Sequence, residues 1–389
     1  MSKTTKTIIG LVILIIIVLV IYLGAGKKTT QAPAPTTPTS LTPTTKETIK
    51  IGVILPLNGS VAYLGQNALA GITLALNEIN KRGGINEKKV EIVIEDDKCL
   101  SADGVNAVNK LINVDKVIGI LGPICSSVGG AALPIAQNSG VPVIIIAASA
   151  PHLTKIGDYI FRIYPSDAFQ GKVAADFIFN KLGKKKVAIV YVKNDWGEGI
   201  KEVFKTRFKE LKGEIVYEDG VLQNQKDFRT EITKVKSSGA EALYLLVYPN
   251  VGIIFIKQIK EMNLNIPVVG PTVFGEEVFT KSEISEGVFH TAPKINIPED
   301  FKSKIKSLPG FENLQISIAA SLGYDAAKVL FLAIEKAGLD KQKIKEALKT
   351  TSYQGISNPL IEFDENGDLK NPAFEVKIIK NKQSVPYEK

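Results

Sequence analysis

The residues best suited to chemistry in this chain sit just after short apolar runs. Gly122-Pro123-Ile124-Cys125-Ser126-Ser127 follows one run, and Ala147-Ala148-Ser149-Ala150-Pro151 closes another. Ser126 or Ser127 would open a helix, and a helix N-terminus offers free N–H groups at the positive end of its dipole. With a serine hydroxyl nearby, and only the small side chains of Ala147 and Ala148 in the way, a carboxylate could approach the backbone closely. The plainer reading makes Ser126 an N-cap and Ala-Ala-Ser a turn, and the residues alone leave both open. Trp196, the single tryptophan, follows a run in Asn194-Asp195-Trp196-Gly197-Glu198-Gly199, and Tyr248 ends another before Pro249. Each could line a cleft or simply pack.

Other chemistries find little support. Glu95-Asp96-Asp97 could hold a cation but reads better as a solvated strand end. Asp364, Asn366 and Asp368 with Glu375 have part of a calcium-loop spacing, but Leu369 stands where that loop requires glycine, so a hairpin turn is the better reading. Cys99 and Cys125 with the distant His152 and His290 give no metal-ligand spacing, so no metal is expected. Asn58-Gly59-Ser60 is a glycosylation sequon of low specificity. No dinucleotide fingerprint follows a strand, and neither a phosphate-binding P-loop nor a G-x-S-x-G elbow occurs. With no defensible Ser–His pairing either, the chain reads as a non-enzyme without a cofactor.

The elements that must position these residues alternate. Ile49–Leu57, Val90–Ile94, Val117–Leu121 and Val141–Ala147 are β-branched or continuously apolar, as strands covered on both faces are. Between them, Ala62–Lys81, Ala102–Asn113 and Ser127–Asn138 have helical spacing, the first stopped by Gly83-Gly84. The series restarts after Tyr164. Helices are expected at Ala168–Leu182, Trp196–Leu211, Phe228–Lys236 and Ile253–Met262, and strands at Lys186–Val192, Glu214–Tyr217, Ala242–Val247 and Pro267–Gly270. Long helices at Ser317–Ala337 and Gln342–Lys349 follow, and Leu360–Phe363 with Phe374–Ile379 should form a hairpin around Asn366-Gly367. The class is α/β, doubly wound, and two series of like make suggest two lobes.

The front end differs in kind. Ile8 to Leu23 is almost purely apolar, with Lys3 and Lys6 before it and Lys27 and Lys28 after it. Counting Gly24 to Gly26, it is about long enough to cross a bilayer. We read residues 1–28 as an uncleaved anchor with its N-terminus inside, cleavage near Gly24-Ala25-Gly26 being the alternative. Residues 29–48 form a Thr/Pro-rich linker that cannot bury a core. A soluble body tethered outside the cytoplasm follows. The net charge of +8 is spread along the chain as lysine, without a basic cluster interleaved with aromatics, so nucleic acid is not expected as a partner. In that compartment two cysteines more often form a disulfide than a redox site.

From about Ile49 onward the chain resembles the leucine/isoleucine/valine-binding family of ABC-transporter solute-binding proteins, the type I periplasmic binding proteins. The resemblance is carried by Ile51-Gly52-Val53 to Gly65, Asn80-Lys81-Arg82-Gly83-Gly84-Ile85, Asp96-Asp97-Lys98-Cys99 and Cys125-Ser126-Ser127. It continues through Ala147 to Pro151, Asp195 to Gly199, Lys226-Asp227-Phe228 and Gly270-Pro271. It implies two Rossmann-like lobes joined by three crossovers, near Pro165–Asp167, Thr291–Lys294 and Gly355–Pro359. Lobe 1 would hold residues 49–165 and 293–355, and lobe 2 residues 166–292 and 356–389. It also implies a Cys99–Cys125 disulfide and a ligand carboxylate held by Ser126, the backbone at Ala147 and Ala148, and Ser149. Trp196 and Tyr248 would flank the ligand from the second lobe, and Leu64 falls where relatives often carry an aromatic. Amino-acid-binding members follow the Gly-Pro with an acid that pairs with the ligand ammonium; here that position is Thr272. Either Asp167 or Glu276 substitutes, or the ligand has no ammonium. The implied function is capture of a small amino acid, carboxylate or amide for ABC permease subunits, by a monomer. A sensory receptor ectodomain of the same fold is the alternative.

Overall fold

The computed structural model describes residues 48–388, so the expected anchor and most of the linker lie outside the described residues. Among the described residues no helix is long and apolar enough to cross a membrane.

The first series builds one parallel sheet. Its elements are β1 (Ile49–Leu55), α1 (Ala62–Lys81), β2 (Val90–Asp96), α2 (Ser101–Asn113), β3 (Ile120–Leu121), α3 (Ser126–Asn138), β4 (Val143–Ile145) and β5 (Ile160–Arg162). The strand order is β2-β1-β3-β4-β5, every pair parallel. Ile51, Val53, Leu55, Leu121 and Ile144 are fully buried, because helices cover both faces.

The chain then crosses to a second sheet. Here lie α4 (Asp167–Asp176), β6 (Lys186–Val192), α5 (Asp195–Glu210), β7 (Glu214–Val221), α6 (Arg229–Ser237), β8 (Ala242–Leu246), α7 (Pro249–Glu261), β9 (Val268–Gly270), the short α8 (Glu277–Thr280) and β10 (Phe289–Pro293). α9 (Glu299–Lys306), α10 (Ile318–Ala337) and α11 (Lys341–Lys349) follow. β11 (Phe374–Lys380) and β12 (Gln383–Pro386) complete the second sheet, ordered β12-β11-β10-β9-β8-β6-β7.

α10 returns to the first sheet's side and packs along α1. Their backbones approach so closely that a Cβ on Gly71 would stand 1.9 Å from the Ala320 carbonyl oxygen, and one on Gly323 would stand 2.2 Å from that of Ala68. Two glycines therefore bring the start of α10 up against α1.

Two sequence expectations are corrected. The hairpin is not Leu360–Phe363 with Phe374–Ile379: β11 pairs antiparallel with β10 and with β12. The turn residues of the real hairpin are Asn381 and Lys382, both with positive φ. Asn366-Gly367 does turn, but Asp364 gathers the Asn366 and Asp368 amides, and the segment closes on itself with Phe363 bridging Leu369. Nor is Glu95-Asp96-Asp97 a merely solvated strand end. Asp97 is buried and accepts from the Cys99 amide at 2.7 Å, while Asp96 accepts from Leu57 and Lys98. These acids shape the turn that presents Cys99, which is joined to Cys125 in a disulfide with Cα atoms 5.5 Å apart.

Candidate functional site

One cavity of about 650 Å³, part of it open to solvent, lies between the two sheets' strand ends. That is where ligands sit in open α/β folds. Ser126, Ala147, Ser149, Trp196, Tyr248 and Thr272 all line it, as do Leu64, Asp167 and Glu276. Ala148 does not: it is buried behind the wall, and its N–H points at the Pro123 carbonyl, 3.4 Å away.

The first wall is polar and uncharged. Cys125, not Ser126, is the N-cap of α3, and it makes no side-chain cap bond. Ser126 Oγ instead accepts from the Ser149 and Ala150 amides, each at 3.2 Å. With both contacts accepted, the Ser126 O–H proton is left to donate outward. Together with the unpaired first-turn N–H groups of α3, it forms a donor set suited to a carboxylate.

Behind this cradle runs a hydrogen-bonded chain. Ser149 Oγ donates to Asp167 Oδ2 at 2.7 Å, and Gln170 Nε2 donates to Asp167 Oδ1 at 3.0 Å. Gln170 Oε1 then accepts from Thr272 N (2.9 Å), Thr272 Oγ1 (2.5 Å) and Thr291 Oγ1 (2.9 Å). Thr272 is thus committed to holding Gln170. Burial pushes Asp167 up to about 7, opposed by the Ser149 hydrogen bond and the nearby Arg162 charge.

Glu276 sits just before α8. Burial, with Glu277 adding repulsion, pushes it up to about 7. No hydrogen bond or ion pair reaches its carboxylate from the described residues, whereas its backbone carbonyl starts α8 by accepting from Phe279 and Thr280. Among the described residues no lysine, arginine or histidine lines the cavity. Two raised acids without a cation at the wall are what a cationic group would relieve.

The remaining walls are apolar. Trp196 stacks on Tyr248 with ring centroids 4.8 Å apart, and Asn194 Nδ2 reaches the Tyr248 hydroxyl at 3.5 Å. Opposite lie Val61, Leu64, Ile124, Ile318, Ala319 and Leu322. The last three come from α10, and sequence reasoning missed them, as it missed Tyr164 and Gln170. Only the i, i+4 spacing of Ile318 and Leu322, and the i, i+3 spacing of Asp167 and Gln170, offered a signal.

Of the other candidates, His290 is buried in β10, bonded to Ser384 Oγ at 2.8 Å, and pushed down to about 4 by burial. It takes no part in the cavity. Among the described residues no group of three or more His, Cys, Asp or Glu is placed to hold a metal ion.

Two largely parallel sheets, the second with an antiparallel edge, closing strand ends over one small mixed cavity define a solute-binding protein of type I periplasmic architecture. The family profile described as periplasmic binding protein matches residues 48–383, and the chain belongs to that family, whose compartment is extracytoplasmic. A leucine-, isoleucine-, valine-, threonine- and alanine-binding protein of Pseudomonas aeruginosa is 34% identical over 337 residues, covering 85% of this chain and 89% of its own length. Among solved structures, a branched-chain amino acid transporter substrate-binding protein of Streptococcus pneumoniae, in complex with isoleucine, superposes with a TM-score of 0.76. It is 28% identical and covers 88% of this chain and all (100%) of its own. A solute-binding protein of an ABC transporter from Rhodopseudomonas palustris, in complex with 3,4-dihydroxybenzoic acid, gives 0.75 at 26% identity, covering 88% and 96%.

Proposed function

We propose that this chain is the solute-binding component of an ABC importer and captures a branched-chain type amino acid. The observation that carries the reading is the charge arrangement of the cavity. A neutral donor cradle at Ser126 and the first turn of α3 shares the cavity with two elevated acids, Asp167 and Glu276, and among the described residues no cation lines the wall. A zwitterion brings both complements: its carboxylate meets the N–H and O–H donors, and its ammonium meets an acid. The aliphatic wall then takes an uncharged side chain.

A carboxylate without an ammonium is the second reading. It is favoured by the commitment of Thr272 to Gln170 and by the dihydroxybenzoic acid bound to the Rhodopseudomonas relative. Such a ligand would add a third negative charge beside two acids, which must then stay protonated, so we rank it below the zwitterion.

The reading includes lobe 1 as residues 49–165 and 293–355, lobe 2 as 166–292 and 356–389, and an N-terminal segment that tethers a monomer to the membrane. Capture is binding without turnover. The contact of Gln223 Nε2 with Ser60 Oγ at 3.2 Å, which joins the two proposed lobes, fits a closed form that ligand would stabilise. The Streptococcus and Rhodopseudomonas relatives, both described as transporter proteins, favour an importer over a sensory ectodomain. The test is calorimetry and thermal shift with leucine, isoleucine, valine, their des-amino carboxylates and short amides. Micromolar leucine binding supports the reading, and binding of des-amino compounds alone overturns it.

A further inference from the structure

Arg162 is the last residue of β5 and is fully buried. A buried guanidinium needs a counter-charge and hydrogen-bond acceptors. The charge comes from Asp368: Nε donates to Oδ1 at 2.7 Å, and Nη2 stands 2.6 Å from the same oxygen. Thr154 Oγ1 donates to the other Asp368 oxygen at 3.0 Å. The turn that carries Asp368 is seated on the edge strand, where the Arg162 amide donates to the Gly367 carbonyl at 2.8 Å. Gly367 has φ +82°, and a Cβ there would come within 2.2 Å of the Ile160 carbonyl oxygen.

The remaining nitrogen, Nη1, donates to the carbonyls of Ala148 (3.2 Å) and Ala150 (2.8 Å), which flank Ser149. The Ala148 carbonyl and the Ser149 N–H belong to one planar trans peptide, so they point in opposite directions. Holding that carbonyl on the guanidinium aims the Ser149 N–H at Ser126 Oγ.

We propose that Arg162 is the positioning residue of the carboxylate cradle, fixed from behind the cavity wall by Asp368 of the 364–368 turn. It touches no ligand atom. It sets the orientation of the 148–149 peptide, and through that peptide the direction in which Ser126 presents its proton. This also gives Ala148 a role although it does not line the cavity, and gives the acidic turn a use other than a cation. The inference rests on the amino-acid reading only for the choice of leucine as probe.

The test uses the full chain in detergent micelles, with two readouts. In calorimetry, Arg162→Met and Asp368→Asn should weaken leucine binding by about tenfold or more, the scale of a lost charge-assisted hydrogen bond. Arg162→Lys should fall between them and the unaltered chain. Hydrogen exchange of the ligand-free protein should show the Ser149 amide losing protection in the same variants, while amides of β8 keep theirs. In a Ser126→Ala background the Arg162→Met loss should shrink, since both act on one peptide. Leucine affinity within twofold of the unaltered chain, or unchanged Ser149 exchange, in folded Asp368→Asn and Arg162→Lys overturns the proposal. Should Arg162→Met fail to fold, those two variants decide. Should the unaltered chain bind no leucine, the amino-acid reading fails, and Ser149 exchange still decides the role of Arg162.

Discussion

Glu276→Gln separates stability from binding in a way no bystander substitution would. Glu276 lines the cavity, and burial lifts its carboxyl from the usual value near 4.5 to about 7. A carboxyl raised by folding disfavours its own charged form. The cost is absent below the unfolded value, grows from pH 4.5 upward and is fully present above pH 7. A shift of that size corresponds to at most roughly 3 kcal/mol. The ligand-free Glu276→Gln variant should therefore be more stable than the unaltered chain at pH 8, by up to about 3 kcal/mol, and equal to it near pH 4. Affinity should move the other way. If the carboxylate meets the ligand ammonium, removing it should weaken leucine binding by about 2 kcal/mol or more, roughly thirtyfold. Leucine binding must also expel a proton below pH 7, so the apparent Kd should rise by about eightfold at pH 6 and about twentyfold at pH 5, levelling off near the roughly thirtyfold loss of the neutral side chain. Asp167, lifted to a similar value, can only steepen that slope. Calorimetry in two buffers of different ionisation enthalpy counts the proton directly. A Glu276→Gln variant that binds leucine normally, keeps the same pH slope and gains no stability at pH 8 would refute the reasoning.

Four further outcomes are expected. Ser126→Ala should lower leucine affinity by roughly 1.5–3 kcal/mol, with a much smaller effect on leucinamide, as measured by calorimetry; equal losses for both would argue against a carboxylate contact. Replacing Cys99 and Cys125 with serine opens a link spanning 26 residues and should destabilise the folded body by roughly 3–4 kcal/mol on the chain-entropy account, read by denaturant unfolding with and without reductant. Trp196 is the single tryptophan and stacks on Tyr248 at the cavity wall, so ligand should alter its fluorescence. Leu322→Ala should open the aliphatic wall and raise phenylalanine affinity relative to leucine in the same assay.

What the sequence determined by itself was everything written at short range. Runs such as Val187 to Val192 and the helical spacing from Ala62 to Lys81 dictate strand and helix, because each residue's side depends only on its local period. Alternation of the two defined the doubly wound class, and the small and hydroxyl residues after Ile120–Leu121 and Val143–Ile145 marked the strand ends that line the cavity. The tertiary structure decided what needed partners far along the chain. Ser126 is turned from a cap into an acceptor by amides 23 and 24 residues away. Thr272 is drawn off to Gln170, 102 residues earlier, while the Glu276 carboxylate meets no partner among the described residues at the same cavity. Ile318 and Leu322 reach the ligand wall because Gly71 and Gly323 let α10 lie against α1. Residues 374–380 pair with β10, not with 360–363, since a strand takes the sheet edge that buries it, wherever in the sequence that edge lies. A buried arginine finds its aspartate 206 residues on, a distance that no local period encodes.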